Sequence, residues 1–129
     1  MTVTYSYSSE HNIVSTAPSG EISLKDVART FEEYVEDEQI RNGFLEVVDI
    51  TKVDKFSLSS EDVGSIAQNY NQIKIKKNPI ATILISSNTL QYGFSRMIKM
   101  LFELYCAEHL IYLAESPQKA EEMRAKIMG

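Results

Sequence analysis

Residues 80–85 read IATILI, and Ser86-Ser87-Asn88 follow at once. A run of apolar and β-branched side chains without polar alternation describes a strand buried on both faces, which requires a sheet covered by helices. Ser and Asn are N-cap residues, so a helix starts where the strand stops. Leu90, Phe94, Met97, Ile98, Leu101, Leu104 and Tyr105 then recur at helical spacing. A strand, a cap and a helix in direct succession make half of a β-α-β unit. The fold then depends on whether the pattern repeats on either side.

It does. Upstream, Phe44 to Ile50 (FLEVVDI) is another near-continuously apolar strand, and Thr51 to Leu58 reads as a loop. Ser59 or Ser60 caps the next helix, with Glu61 and Asp62 in the first turn, where the helix dipole favours acids. Val63, Ile66, Ala67 and Tyr70 form its apolar stripe, which fades into Lys74, Lys76, Lys77 and Asn78-Pro79. An earlier helix opens on Ser23 with Asp26, a near relative of the capping box. It carries Leu24, Val27, Ala28, Phe31 and Val35 and is expected to end at Asn42-Gly43. Downstream, His109 to Ala114 is a last strand, and Ser116-Pro117 opens a helix whose Ala120, Met123 and Ile127 face inward.

At the start, Val3, Tyr5 and Tyr7 alternate with Thr2, Thr4 and Ser6, the mark of a half-buried strand. A second short strand runs from Ile13 to Ala17, and Pro18-Ser19-Gly20 closes the hairpin. The order β-β-α-β-α-β-α-β-α predicts one α/β domain over residues 1–129. Its mixed, mostly parallel sheet of four to five strands, the IATILI strand central, is flanked by four helices.

Composition excludes several function classes. Lys and Arg number 13 against 18 Asp and Glu, so the chain lacks the basic balance of a nucleic-acid-binding module. The one cysteine, Cys106, forbids an internal disulfide and a Cys-based zinc cluster, and reads as a small buried apolar residue. The first residues are polar and lack a basic start followed by an apolar run, so they are not expected to act as a signal peptide. No apolar run approaches the roughly 20 residues that span a bilayer, and the expected location is a reducing cytoplasm. Charge is uneven: Glu21 to Asp49 holds 9 acids and 3 bases, against 8 acids and 10 bases beyond it. The acidic run Glu32 to Glu38 reads as a solvated helix face.

Three stretches taken together, GEISLKDVARTFEEYVEDEQIRNGFLEVVDI, VDKFSLSSEDVGSIA and ATILISSNTLQYGFSRMIKMLFE, resemble the SpoIIAA-like family of small bacterial proteins. That family shares the STAS fold of anti-sigma-factor antagonists. The resemblance runs from about Gly20 to the C-terminal helix and implies a four- or five-stranded mixed sheet flanked by helices. Regulatory STAS domains carry Asp-Ser-Ser/Thr-Gly at a helix start, where a serine or threonine is phosphorylated. Here the nearest stretch is Leu58-Ser59-Ser60-Glu61, with Leu58 in place of Asp and Glu61 in place of Gly. A phosphate on Ser59 or Ser60 would gain from the helix N-terminus and suffer repulsion from Glu61 and Asp62.

No catalytic constellation emerges. There is no G-x-S-x-G elbow, His11 and His109 are isolated, and Asp49 with Asp54 does not specify a metal site. The chain is therefore expected not to be an enzyme and to need no metal or cofactor. The strongest candidate ligand site is Ser86, Ser87 and Asn88 with Tyr92 and Arg96, beyond the carboxyl end of a buried strand and at a helix N-terminus. Gly93 inside that helix costs roughly 1 kcal/mol against Ala, which suggests close packing or a ligand. Met100 and Phe102 widen the apolar face of the same helix and are candidates for a homodimer interface. The primary reading is a non-enzymatic regulatory or protein-interaction module that binds a protein partner or itself. The alternative is a carrier or sensor of a small apolar or anionic ligand beside helix 88–105; the more distant CRAL-TRIO relatives of the resembled fold bind lipids.

Overall fold

The computed structural model describes residues 4–129; Thr2 and Val3 of the expected first strand lie outside them. Eleven elements follow in order. They are β1 (Tyr5–Ser8), β2 (Ile13–Thr16), β3 (Ser19–Ser23), α1 (Leu24–Glu36), β4 (Leu45–Asp49), β5 (Lys52–Ser57), α2 (Ser60–Lys77), β6 (Ala81–Ile85), α3 (Thr89–Tyr105), β7 (Leu110–Ala114) and α4 (Pro117–Met128).

The main sheet has five strands in the order β1-β2-β4-β6-β7. β1 and β2 form the antiparallel hairpin, and every other pairing is parallel. All five residues of β6 are buried, although the middle position belongs to β4. The crossovers from β2 to β4, β4 to β6 and β6 to β7 all step the same way across the sheet. Right-handed connections therefore place α1, α2 and α3 on one face. The main core confirms it: Val14, Leu84 and Ile111 of the sheet meet Tyr34 of α1, Ala67, Tyr70 and Ile73 of α2, and Phe102 of α3. α4 follows the last strand, is bound by no crossover rule and covers the opposite face. There Ala120, Met123 and Ile127 pack on Ile13, Leu45, Ala81, Ile83 and Ile85.

Each helix starts where its cap residue stands. Ser23 with Asp26, and Ser59 with Asp62, form complete capping boxes, while Asn88 and Ser116 accept from the backbone N–H of Gln91 and Lys119. Such caps contribute about 1 kcal/mol each.

Two stretches expected to be irregular are strands. Pro18-Ser19-Gly20 runs into β3, and the loop expected at Thr51 to Leu58 contains β5; the two pair in parallel as a separate small sheet. Ile22 and Val53 are its only fully buried apolar positions, too few to set a period of two. The small sheet exists because β3 continues beyond β2 and β5 beyond β4, so the main sheet delivers both strands to the same place. α1 ends at Glu36, earlier than Asn42-Gly43. Asp37 turns the chain by accepting from Gln39 N–H, and Lys77 donates to the carbonyls of Asp37 and Ile40. Gly43 does adopt a left-handed φ of 79°, but in the approach to β4.

Candidate functional site: an apolar cavity with a buried carboxyl

Strand alternation sends Leu45 and Val47 of β4 toward α4, and Glu46 and Val48 toward the three helices. β6 does the same, so Thr82 and Leu84 face the same way as Glu46 and Val48. Glu46 stands opposite Thr82 in register, and Thr82 stands opposite Ile111. Of the two charged residues of FLEVVDI, Glu46 is thereby committed to the protein interior, 3% exposed.

Its hydrogen bonds come from two elements, β6 and α2. Thr82 Oγ1 donates to Glu46 Oε1 over 2.7 Å, and the Tyr70 hydroxyl of α2 donates to the same oxygen over 3.0 Å. His109 Nε2 lies 2.7 Å from Thr82 Oγ1. Thr82 has one proton, given to Glu46, so the network assigns the proton on His109 to Nε2, donating to Thr82. His109 Nδ1 is left buried and without a partner. Nearby, Thr16 Oγ1 and the Tyr34 hydroxyl lie 2.9 Å apart.

Burial decides the protonation of this group. It pushes the Glu46 carboxyl above its ordinary value, against the pull of hydroxyls from Thr82, Tyr34 and Tyr70. It pushes Tyr34 and Tyr70 well above the usual phenol range, helped by the Glu46 charge. Burial, with Lys74 nearby, holds His109 down to about 3. At neutral pH both phenols and the imidazole are uncharged.

Beside this network lies a partly open cavity of about 110 Å³. Its inner end is lined by Thr16, Tyr34, Glu46, Tyr70 and Thr82, and most of the remainder is apolar. Val48 and Leu84 line it two residues further along the strands, about 6.6 Å at the usual rise. Ile22, Ile50, Phe56 and Leu58, from the small sheet and its flanks, line its far end with Phe94 of α3. The Phe56 and Phe94 rings stack there with centroids 4.0 Å apart. Val48 is in the middle strand of the sheet yet only half-buried, because the cavity lies over it.

The residues singled out from the sequence fall elsewhere. Ser86 is buried and donates its N–H to Ala114 O. Ser87 gives both its N–H and its hydroxyl to Gln91 Oε1, and Asn88 accepts from Gln91 N–H, so the start of α3 is occupied by its own side chains. Tyr92 and Arg96 are exposed, the guanidinium 6.0 Å from the ring centre. None of the five lines the cavity. Gly93 admits nothing: a Cβ there would meet open space. Ser59 is engaged in capping α2, and Ser60 begins that helix. Met100 is 55% exposed, whereas Phe102 is 4% exposed and packs edge-on against Tyr70. As a core residue, Phe102 is not available to a dimer contact; the helical turn that exposes Met100 carries it inward. Cys106 is buried as expected, and no cluster of potential metal ligands occurs among the described residues.

Sequence reasoning missed the polar network because its members are far apart in the chain. The one local signal is a glutamate early in a largely apolar strand, which burial on both faces makes costly unless partners exist. His109 was legible only as a lone histidine at a strand start.

No protein-family model matches this chain, and no curated protein does either. Among solved structures, it is similar to an uncharacterized protein of the DUF3478 family with a SpoIIAA-like fold from Shewanella loihica PV-4. The two share 14% identity, with a TM-score of 0.60 over 94% of this chain and 90% of the other. With its mixed five-stranded sheet and four helices, this chain has a SpoIIAA-like α/β fold.

Proposed function

We propose that the protein is a non-enzymatic carrier or sensor that binds a small, largely apolar molecule in the cavity beside α3. The observation that carries this reading is the cavity itself: an apolar space, open at one side, ending on a few convergent polar groups whose protonation is perturbed. An apolar cavity of about 150 Å³ in another protein is known to take up benzene, so about 110 Å³ suits a molecule of somewhat smaller size. The anionic half of the earlier expectation has no support here, since the polar end presents a carboxyl group.

Titration with xenon, an apolar probe smaller than benzene, tests the reading. The methyl resonances of Leu84, Ile98 and Ile111 should shift and the melting temperature should rise, and native mass spectrometry of freshly purified protein should show a small retained mass. Unmoved methyls and an empty protein would remove the proposal.

A second reading, a module that binds a second copy of itself, is favoured by the outer surface of α3. Met100 and Leu104 are exposed there, as is Leu110 at the start of β7. Sedimentation should then show a dimer that Met100→Glu weakens while circular dichroism stays native. A monomer at all concentrations would exclude it.

A further inference from the structure

The proposed cavity is built asymmetrically, and its asymmetry specifies a ligand more narrowly than size does. Glu46 is almost wholly buried, and among the described residues no Lys, Arg or His lies within ion-pair distance of it. The basic side chain nearest through the network, His109, is committed to Thr82 by its one ring proton. Two hydroxyls donate to Glu46 Oε1, from Thr82 and Tyr70; they favour the carboxylate, and in the empty site burial outweighs them. A carboxylate taken out of water without a cation is costly. The protein supplies donors and no counter-ion.

The rest of the lining suits a cation as well. Phe31, Tyr34, Phe56, Tyr70, Phe94 and Phe102 all contribute to the cavity. Aromatic faces attract ammonium groups, more so when water is excluded. An ammonium has three N–H donors and no acceptor. The inner end offers oxygen acceptors of matching number: the Glu46 carboxylate and the hydroxyls of Tyr34 and Thr16. An anion would meet the Glu46 carboxylate as a like charge, and a neutral alcohol would leave the burial of that carboxyl uncompensated.

We infer that the cavity is a site for a small apolar primary amine, bound as its ammonium with the charge on Glu46 and the hydrocarbon among the aromatic rings. The inference rests on the cavity reading above. Burial pushes the empty-site carboxyl upward, and an ammonium beside it reverses that push.

The test compares n-butylammonium, n-butanol and butyrate by titration calorimetry at neutral pH, with the methyl shifts of Ile22, Leu84 and Ile111 locating the site. The ammonium should bind about tenfold more tightly than the alcohol, a difference of about 1.4 kcal/mol, and butyrate should not bind. Glu46→Gln should bring ammonium and alcohol to similar affinity. Should that variant fail to fold, Tyr34→Phe removes one acceptor and should weaken the ammonium more than the alcohol; equal losses overturn the assignment. If the alcohol or butyrate shifts the cavity methyls and binds as tightly as the ammonium, the amine assignment falls and the cavity reading stands. If none of the three moves a cavity methyl, both fall.

Discussion

Glu46 on β4 and Thr82 on β6 stand opposite each other in a parallel register, and their side chains meet over 2.7 Å on the sheet face that the helices cover. Beside this pair the sheet face is mostly apolar, with Val14, Val48, Leu84 and Ile111 next to the buried hydroxyl of Thr16. The pair places an ionisable group in the interior and gives it Tyr70 and, through Thr82, His109 as partners. The stability of the domain therefore carries the signature of two buried titrating groups, with opposite signs.

For Glu46 the folded-state value lies above the ordinary 4.5. The folded chain then holds a proton that the unfolded chain releases as pH rises past about 4.5. Stability is full below that pH and declines as pH climbs toward the folded value. Glu46→Gln removes this dependence. The stability of the variant relative to the wild type should increase between about pH 4 and about pH 7 in urea melts. A difference that does not change with pH would show that Glu46 titrates normally.

For His109 the sign is reversed. The unfolded imidazole takes a proton near 6.5, whereas the folded one resists until about 3. Across that window the unfolded state binds more protons, so stability falls as pH falls, by at most about 1.4 kcal/mol per pH unit. His109→Gln should flatten this limb. Nitrogen chemical shifts should report a neutral ring protonated at Nε2 down to about pH 5, and a midpoint near 6.5 would refute the assignment.

Gln91 joins the start of α3 to the small sheet. It is buried, its Oε1 accepts from Ser87, and its Nε2 donates to the carbonyls of Thr51 and Val53 at 3.0 and 3.1 Å. Gln91→Ala orphans both carbonyls and should cost about 2 kcal/mol or more. Gln91→Glu sets an acceptor against those carbonyls and should cost at least as much. Denaturation midpoints within about 0.5 kcal/mol of wild type for both would show that the bridge contributes little.

Gly93 lies in the interior of α3 and faces open space. Its φ is not in the left-handed region. Gly93→Ala should therefore stabilise the domain by about 0.5–1 kcal/mol, through reduced freedom of the unfolded chain. A thermal melt that shifts downward would reveal a role for the missing side chain that the fold does not show.

The sequence determined the α/β class, the order of the helices and of the main-sheet strands, and the helix starts, because those follow from short-range physics. Ser23, Ser59, Asn88 and Ser116 cap from within the first turn, and IATILI declares its two-sided burial in six residues. Once the strands step one way across the sheet, handedness places three helices on one face without further information. The small β3–β5 sheet, the inward turn of Phe102 and the occupation of the α3 start by Gln91 were not legible, since each depends on a partner some 30 or more residues away or on helix rotation. The cavity was decided entirely by tertiary structure. Glu46, Tyr70, Thr82 and His109 belong to four separate segments, and only the sheet register and two crossovers bring their polar atoms within hydrogen-bond reach. Only the packing of three helices and a small sheet over one face leaves Val48 uncovered, because space between elements is a property of how they pack and not of any one of them.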